Sequence, residues 1–154
     1  MPSSMVKVLP HVMRNINEFN IPAGDTAGYE ILYFGVNLIL MFDYRLSFDV
    51  ELKSSEEGDD DSSSNNKIEV LIISRKDVSA WKSKDTSTNQ DIKLHYSNSG
   101  QKINDSFKPS VSDAYAFILS NRYFHLNNST KKVDVTLTHT WQQEIKEQHL
   151  KDRP

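Results

Sequence analysis

The sequence predicts an all-β fold: a two-sheet antiparallel sandwich of about eight strands, joined in jelly-roll or related Greek-key order. Three observations predict it. In LILMFDYRLSFDVELK, Leu40, Phe42, Tyr44, Leu46, Phe48, Val50 and Leu52 share one parity, while Asp43, Arg45, Ser47, Asp49 and Glu51 share the other; a period of two belongs to a half-buried strand. Near the end, Val133, Val135, Leu137 and Trp141 alternate with Lys132, Asp134, Thr136, Thr138 and Thr140. Between them Ala114–Leu119 is apolar on both parities, as a strand inside a sandwich would be. Turn-rich spacers separate these runs and no long helical pattern intervenes.

A chain of 154 residues has the size of one domain. Its formal net charge of −3 gives no global basic field, so nucleic acid is not an expected partner. Cysteine is absent, which removes disulfides, thiolate metal sites and a cysteine nucleophile, and fits a reducing, cytoplasmic setting. The start MPSSMVKVLPHVMRN lacks a signal-peptide layout.

Taken in order, residues 1–14 read as a lead-in, an extended edge piece that Pro2 and Pro10 keep from being helical, and the sandwich is expected over 15–141. A strand around Ile16–Ile21 ends in the turn chemistry of Pro22-Ala23-Gly24-Asp25. Gly28–Phe34 is the next strand, with Gly35-Val36-Asn37 as its connection. The run from Leu40 to Leu52 exceeds the usual strand of about 5–6 residues, so a bend, or two consecutive strands with a break, is expected near Arg45–Ser47. Residues 53–67, with five acids and five serines, form a mobile acidic loop. Ile68–Ser74 resumes as a β-branched strand, Arg75–Trp81 as a helical turn or a continuing edge. Asp91–Tyr96 alternates as a strand, Ser97–Gly100 as a turn, and Ile103–Phe107 as a short strand. Residues 142–154 have helix-forming composition but little to bury and read as a tail.

No pattern of catalytic chemistry emerges. The five histidines show no metal-ligand spacing; no serine sits in a GxSxG elbow; GDTAG has neither the spacing nor the following helix of a phosphate loop. The expectation is a protein that is not an enzyme and takes no cofactor or metal. Sequons at Asn104, Asn127 and Asn128 arise readily in so Asn- and Ser-rich a chain.

One family is suggested by these residues. YEILYFGVNLILMFDYRLSFDVELK resembles the first half of the GOLD (Golgi dynamics) domain, through Tyr29–Leu32, Leu40–Phe42 and Phe48-Asp49-Val50-Glu51-Leu52. Tyr115, Phe117, Leu119, Asn121, Tyr123, Lys132, Val133, Val135 and Leu137 resemble its closing hairpin. The likeness runs from Ile16 to Thr140 and is nearest to the cytosolic branch found in CRAL-TRIO lipid-transfer proteins and the Golgi acyl-CoA-binding adaptor. Ser120, Tyr123-Phe124-His125 and Met41 depart from the family's pattern, and Ile73–Gly100 has no counterpart in it.

The resemblance implies a non-enzymatic interaction module of a membrane-trafficking or lipid-transfer adaptor. It would be cytoplasmic, Golgi- or endomembrane-associated, and would grip protein partners of the trafficking machinery at a sheet edge. Tyr123, Phe124, Lys131, Lys132 and Trp81 are the expected partner contacts, although Trp81 reads in the first place as a lid on the core and only second as an exposed anchor. A second expectation is an acidic membrane or phosphoinositide surface met by Lys102, Lys108, Arg122, Lys131 and Lys132. A third is an extracellular carbohydrate-binding or structural sandwich in the secretory lumen.

Overall fold

Alternation becomes architecture in the computed structural model, which describes residues 6–24, 27–55, 67–83, 92–122 and 130–146. Eight strands follow in order: β1 (Val6–Ile21), β2 (Tyr29–Val36), β3 (Phe42–Ser55), β4 (Ile68–Ser74), β5 (Tyr96–Gly100), β6 (Lys102–Phe107), β7 (Asp113–Ser120) and β8 (Lys131–Lys146). The first sheet is ordered β1-β8-β3-β6 and the second β2-β7-β4-β5, every pairing antiparallel. Strands 1 and 8, 2 and 7, 3 and 6, and 4 and 5 are partners, so the chain lies like one long hairpin folded over itself. That is the jelly-roll order.

The inward parity of each sheet meets in one core. Tyr44, Leu46, Phe48 and Val50 of β3 and Val133, Val135 and Leu137 of β8 pack against Ile68, Val70 and Ile72 of β4 and Tyr115, Phe117 and Leu119 of β7. The double-sided apolarity of β4 and β7 has a second cause. On the outer face of the second sheet Leu71, Ile73, Ala116 and Ile118 lie under Val78 and Trp81. These belong to a 3-10 turn, Arg75–Asp77, running into helix α1 (Val78–Ser83). A six-residue helix therefore supplies a small second core, and Arg75–Trp81 is helical rather than a continuing edge.

Several boundaries differ from the sequence reading. Lead-in and tail meet: Val6–Arg14 pair with Thr138–Lys146 in unbroken register, so the limits at 14 and 141 fall inside strands. Gln142–Lys146 of the helix-forming tail are extended because β1 offers them a ladder, tertiary pairing overriding weak propensity. β3 runs as one strand with no break at Arg45–Ser47. Its register shifts between Phe42 and Arg45, where Asp43 takes a φ of 52°, and again between Leu52 and Ser54; these irregularities leave a 14-residue strand within one sheet. Ile92–Leu94 form no strand, whereas Ser97–Gly100, read as a turn, belong to edge strand β5. Gly35 and Val36 complete β2 instead of leaving it. Most of the acidic loop lies outside the described residues. No helix among those described is long and apolar enough to cross a membrane.

Candidate functional site

β1 is the outermost strand of the first sheet and, among the described residues, pairs only with β8. Its other side is a free edge up to 16 residues long. Pro10 fixes which backbone groups face that edge. Proline has no N–H, and in a ladder this is harmless only where the nitrogen points away from the partner. Pro10 lies opposite Gln142, so the even-numbered residues turn their backbone groups outward, and Val12, Arg14, Ile16, Glu18 and Asn20 offer N–H and C=O pairs to an incoming chain. The side chains of the same parity lie on the outer face of the sheet, beside Thr136, Thr138 and Thr140 of β8. There Val12 is 67% and Ile16 74% exposed, with Val8 half exposed. An apolar stripe thus runs along an open edge on an otherwise wet sheet face.

The inward parity of β1 is unusual. Leu137 and Val135 of β8 face Asn15 and Asn17 across the pair, where a core strand would carry apolar residues. The sandwich does not close there. A groove of about 270 Å³ opens between β1 and the edge of β2, lined by Arg14, Asn15, Ile16, Asn17, Leu32, Tyr33, Phe34, Leu137 and His139. His139 is only 3% exposed. Its Nδ1 is 2.5 Å from the Tyr44 hydroxyl. Burial holds the Tyr44 phenol far above its ordinary range and pushes the His139 imidazole down, which disfavours the charged form of each. An aromatic row holds this arrangement: His11 stacks on Trp141 at 5.4 Å, Trp141 on Tyr44 at 6.4 Å, Tyr44 on Phe34 at 6.3 Å, and Phe34 on Tyr115 at 5.5 Å. The row passes from one sheet to the other.

The residues expected to make contacts scatter. Trp81 is 4% exposed and covers the second sheet, edge-on to Tyr29 at 5.2 Å; it is the lid. Arg122, expected to face headgroups, is 3% exposed. Its guanidinium lies 4.5 Å over the Trp81 ring and donates to the Trp81 and Lys82 carbonyls at 2.9 and 3.0 Å. Those carbonyls end α1, so the side chain acts as a helix cap and the headgroup expectation for it does not hold. Lys131 is likewise buried, not displayed: Nζ donates to the Lys67 carbonyl at 2.6 Å, and desolvation lowers its pKa to about 8. Lys132 is exposed and 3.7 Å from Glu18. Lys102 and Lys108 are exposed, and Lys102 ends on β6, the opposite edge of the sheet from β1. With Arg122 and Lys131 buried, the five cations do not form one surface patch. Tyr123 and Phe124 lie outside the described residues.

Sequence reasoning missed one polar cluster. The Ser74 hydroxyl donates to Asp113 Oδ2 at 2.9 Å and lies 3.3 Å from His95 Nε2. The composition is that of a triad, but the order is wrong. Serine's single proton goes to the carboxylate, so a hydrogen bond with His95 needs the proton on Nε2, and the imidazole cannot act as the serine's base. The Ser74 hydrogen bond, with the Ala114 N–H, holds Asp113 below the usual carboxylate range. Ser74 is buried at the end of β4, and the cluster fastens β4 to the start of β7. Among the described residues no group of three or more acidic, histidine or cysteine side chains is placed to hold a metal ion. The groove itself had a faint signal, two asparagines on the inward parity of a strand, visible only once that strand is known to begin at Val6. A scan against family models finds no match for this chain, and a search of curated proteins finds none either.

Proposed function

We propose that this domain is a non-enzymatic interaction module that takes an extended segment of a partner protein as an added strand on β1. The observation that carries the reading is the free edge of β1, with outward backbone groups from Val12 to Asn20 and the exposed side chains of Val12 and Ile16 beside them. Main-chain hydrogen bonds supply affinity in this mode, and alternate side chains supply selectivity. The setting, a cytoplasmic adaptor of membrane traffic or lipid transfer at the Golgi or another endomembrane, follows from the resemblance to GOLD domains. An acidic membrane surface is a weaker reading, since two of its five cations are buried.

The test is a displayed library of random eight-residue peptides, followed by amide hydrogen exchange on the complexes. Strand addition predicts protection at Val12, Arg14, Ile16 and Glu18. It also predicts that N-methylation of alternate peptide amides abolishes binding on one parity and spares it on the other. Binders that protect other elements, or that tolerate methylation on both parities, overturn the reading.

A further inference from the structure

We propose that the strand taken up by β1 runs antiparallel to it and carries, at every second residue from its N-terminal end, a basic, an apolar, an acidic and an apolar side chain. This rests on the strand-addition reading and goes beyond it by naming the partner's chemistry and direction. The register lets the outer face of the first sheet be followed rung by rung to the open edge. One rung crosses β6, β3, β8 and β1 as Ser106, Ser47, Thr138 and Arg14. It holds hydroxyls and no acid, and the exposed Arg14 makes no hydrogen bond or ion pair with any described residue. An acid laid opposite Arg14 complements it. Another rung crosses the same strands as Lys102, Glu51, Asp134 and Glu18, three acids side by side. Lys53 lies 3.8 Å from both Glu51 and Asp134, and Lys132 3.7 Å from Glu18. Since directly opposed like charges destabilise a sheet, a base is the favoured neighbour of Glu18 and an acid the disfavoured one. Lys132 already answers part of that demand, so the acid opposite Arg14 carries most of the selectivity.

On the same parity Ile16 and Val12 are 74% and 67% exposed, and apolar residues opposite them remove that surface from water. The even-numbered residues of β1 turn both backbone groups outward, so in an antiparallel ladder each exchanges two hydrogen bonds with the residue opposite, the more stable of the two pairings. A second copy of this chain is a poorer match than a foreign strand. Set with its Glu18 opposite Arg14, it presents Arg14, Ile16, Glu18 and then Asn20, which leaves an amide against Val12.

The experiment starts from the library-selected peptides that protect β1. Their sequences are expected to share a base and, four residues later, an acid, with an apolar residue midway and another two beyond the acid. The consensus peptide is then synthesised with Glu, Gln or Lys at the acidic position. Affinity is read by fluorescence anisotropy at low salt, where exposed charges are least screened, on the wild-type chain and on Arg14→Glu, an exposed edge position. On the wild type the Glu form is expected to bind about two- to fivefold more tightly than the Gln form. On Arg14→Glu the order is expected to invert, with the Lys form the tightest. Selected peptides without the charge pattern, with the acid ahead of the base, or with an order of affinities that Arg14→Glu leaves unchanged overturn the proposal and leave strand addition standing. A wild-type chain that sediments as a dimer through β1 and resists the consensus peptide assigns the edge to a second copy and overturns it as well. Absence of any β1-protecting peptide overturns both this proposal and the strand-addition reading.

Discussion

Replacing Arg122 by methionine separates two accounts of that residue. The methionine keeps an apolar stem against Trp81 and removes the guanidinium. Lost with it are two charge-assisted hydrogen bonds to the carbonyls that end α1, at 2.9 and 3.0 Å, and a cation–π contact at 4.5 Å. Hydrogen bonds to a charged group contribute about 1.5–3 kcal/mol each and a desolvated cation–π contact about 1–2. Water regains the freed carbonyls once the helix end loosens, and such terms are not additive, so a net loss of about 3 kcal/mol is expected. For a chain of 154 residues each kcal/mol moves Tm by about 2–4 °C, giving a fall of roughly 6–12 °C. Urea unfolding of the wild type, Arg122→Met, Trp81→Ala and the double variant supplies a cycle whose coupling should be about 1–2 kcal/mol. Binding to acidic vesicles should be the same for wild type and Arg122→Met under folded conditions. A stability change within about 0.5 kcal/mol, as at an exposed position, together with weaker vesicle binding, would refute the capping role and restore Arg122 to a headgroup surface.

Three further outcomes follow from the packing. Tyr44→Phe leaves His139 Nδ1 without its hydrogen-bond partner in the core and should cost about 1–3 kcal/mol in urea unfolding. A built Cβ at Gly28 would stand 2.4 Å from the Gly24 carbonyl oxygen, so Gly28→Ala should destabilise by about 1–3 kcal/mol; an exchange-protected Asn121 amide in the variant, which bonds the Gly28 carbonyl, would contradict the clash. The Lys131 amine has a folded pKa of about 8 against 10.5 unfolded, so between those values the unfolded chain binds the extra proton and stability rises with pH. The rise should show from about pH 8 to 10 and be absent in Lys131→Met. Above 10 the buried tyrosines, whose phenols are held up in the fold, act the opposite way.

Legibility in the sequence followed how completely a strand is buried on one face. β3 and β8 sit in the interior of the first sheet, and their alternation was plain. β7 was readable as a strand, but the reason for its two apolar faces was not, because one of them answers to α1, a helix too short to announce itself. Edges were the weak point. β5 carries Ser97, Asn98 and Ser99, turn residues by composition, and is a strand because Leu71, Val70 and Glu69 stand opposite them. The part of β1 before Ile16 was faintly marked for the same reason: Pro10 and Asn15 are tolerable in a strand only when one side is free. The cations at 122 and 131 were misplaced because a charged residue reads as exposed unless its partner carbonyls are known, and those partners lie about 40 and 64 positions away.

The free edge of β1 also has to be kept from pairing with itself, and its sequence divides that task. A long unpaired strand invites association between copies, and proteins blunt such edges with proline and with charge. Here Pro10 interrupts the row of outward donors, so an added chain cannot continue past it without leaving an acceptor unmet. Beyond it Arg14 and Glu18 alternate with Val12 and Ile16 on the outward parity. What remains is a window from about residue 11 to 21, with two apolar positions, two charges of opposite sign and one groove beneath. A second copy laid antiparallel and centred on Ile16 would set Arg14 of each copy across from Glu18 of the other on the outer face. Glu18→Gln tests that register directly: if copies associate through β1, the substitution weakens self-association measured by sedimentation, and unchanged association refutes the pairing.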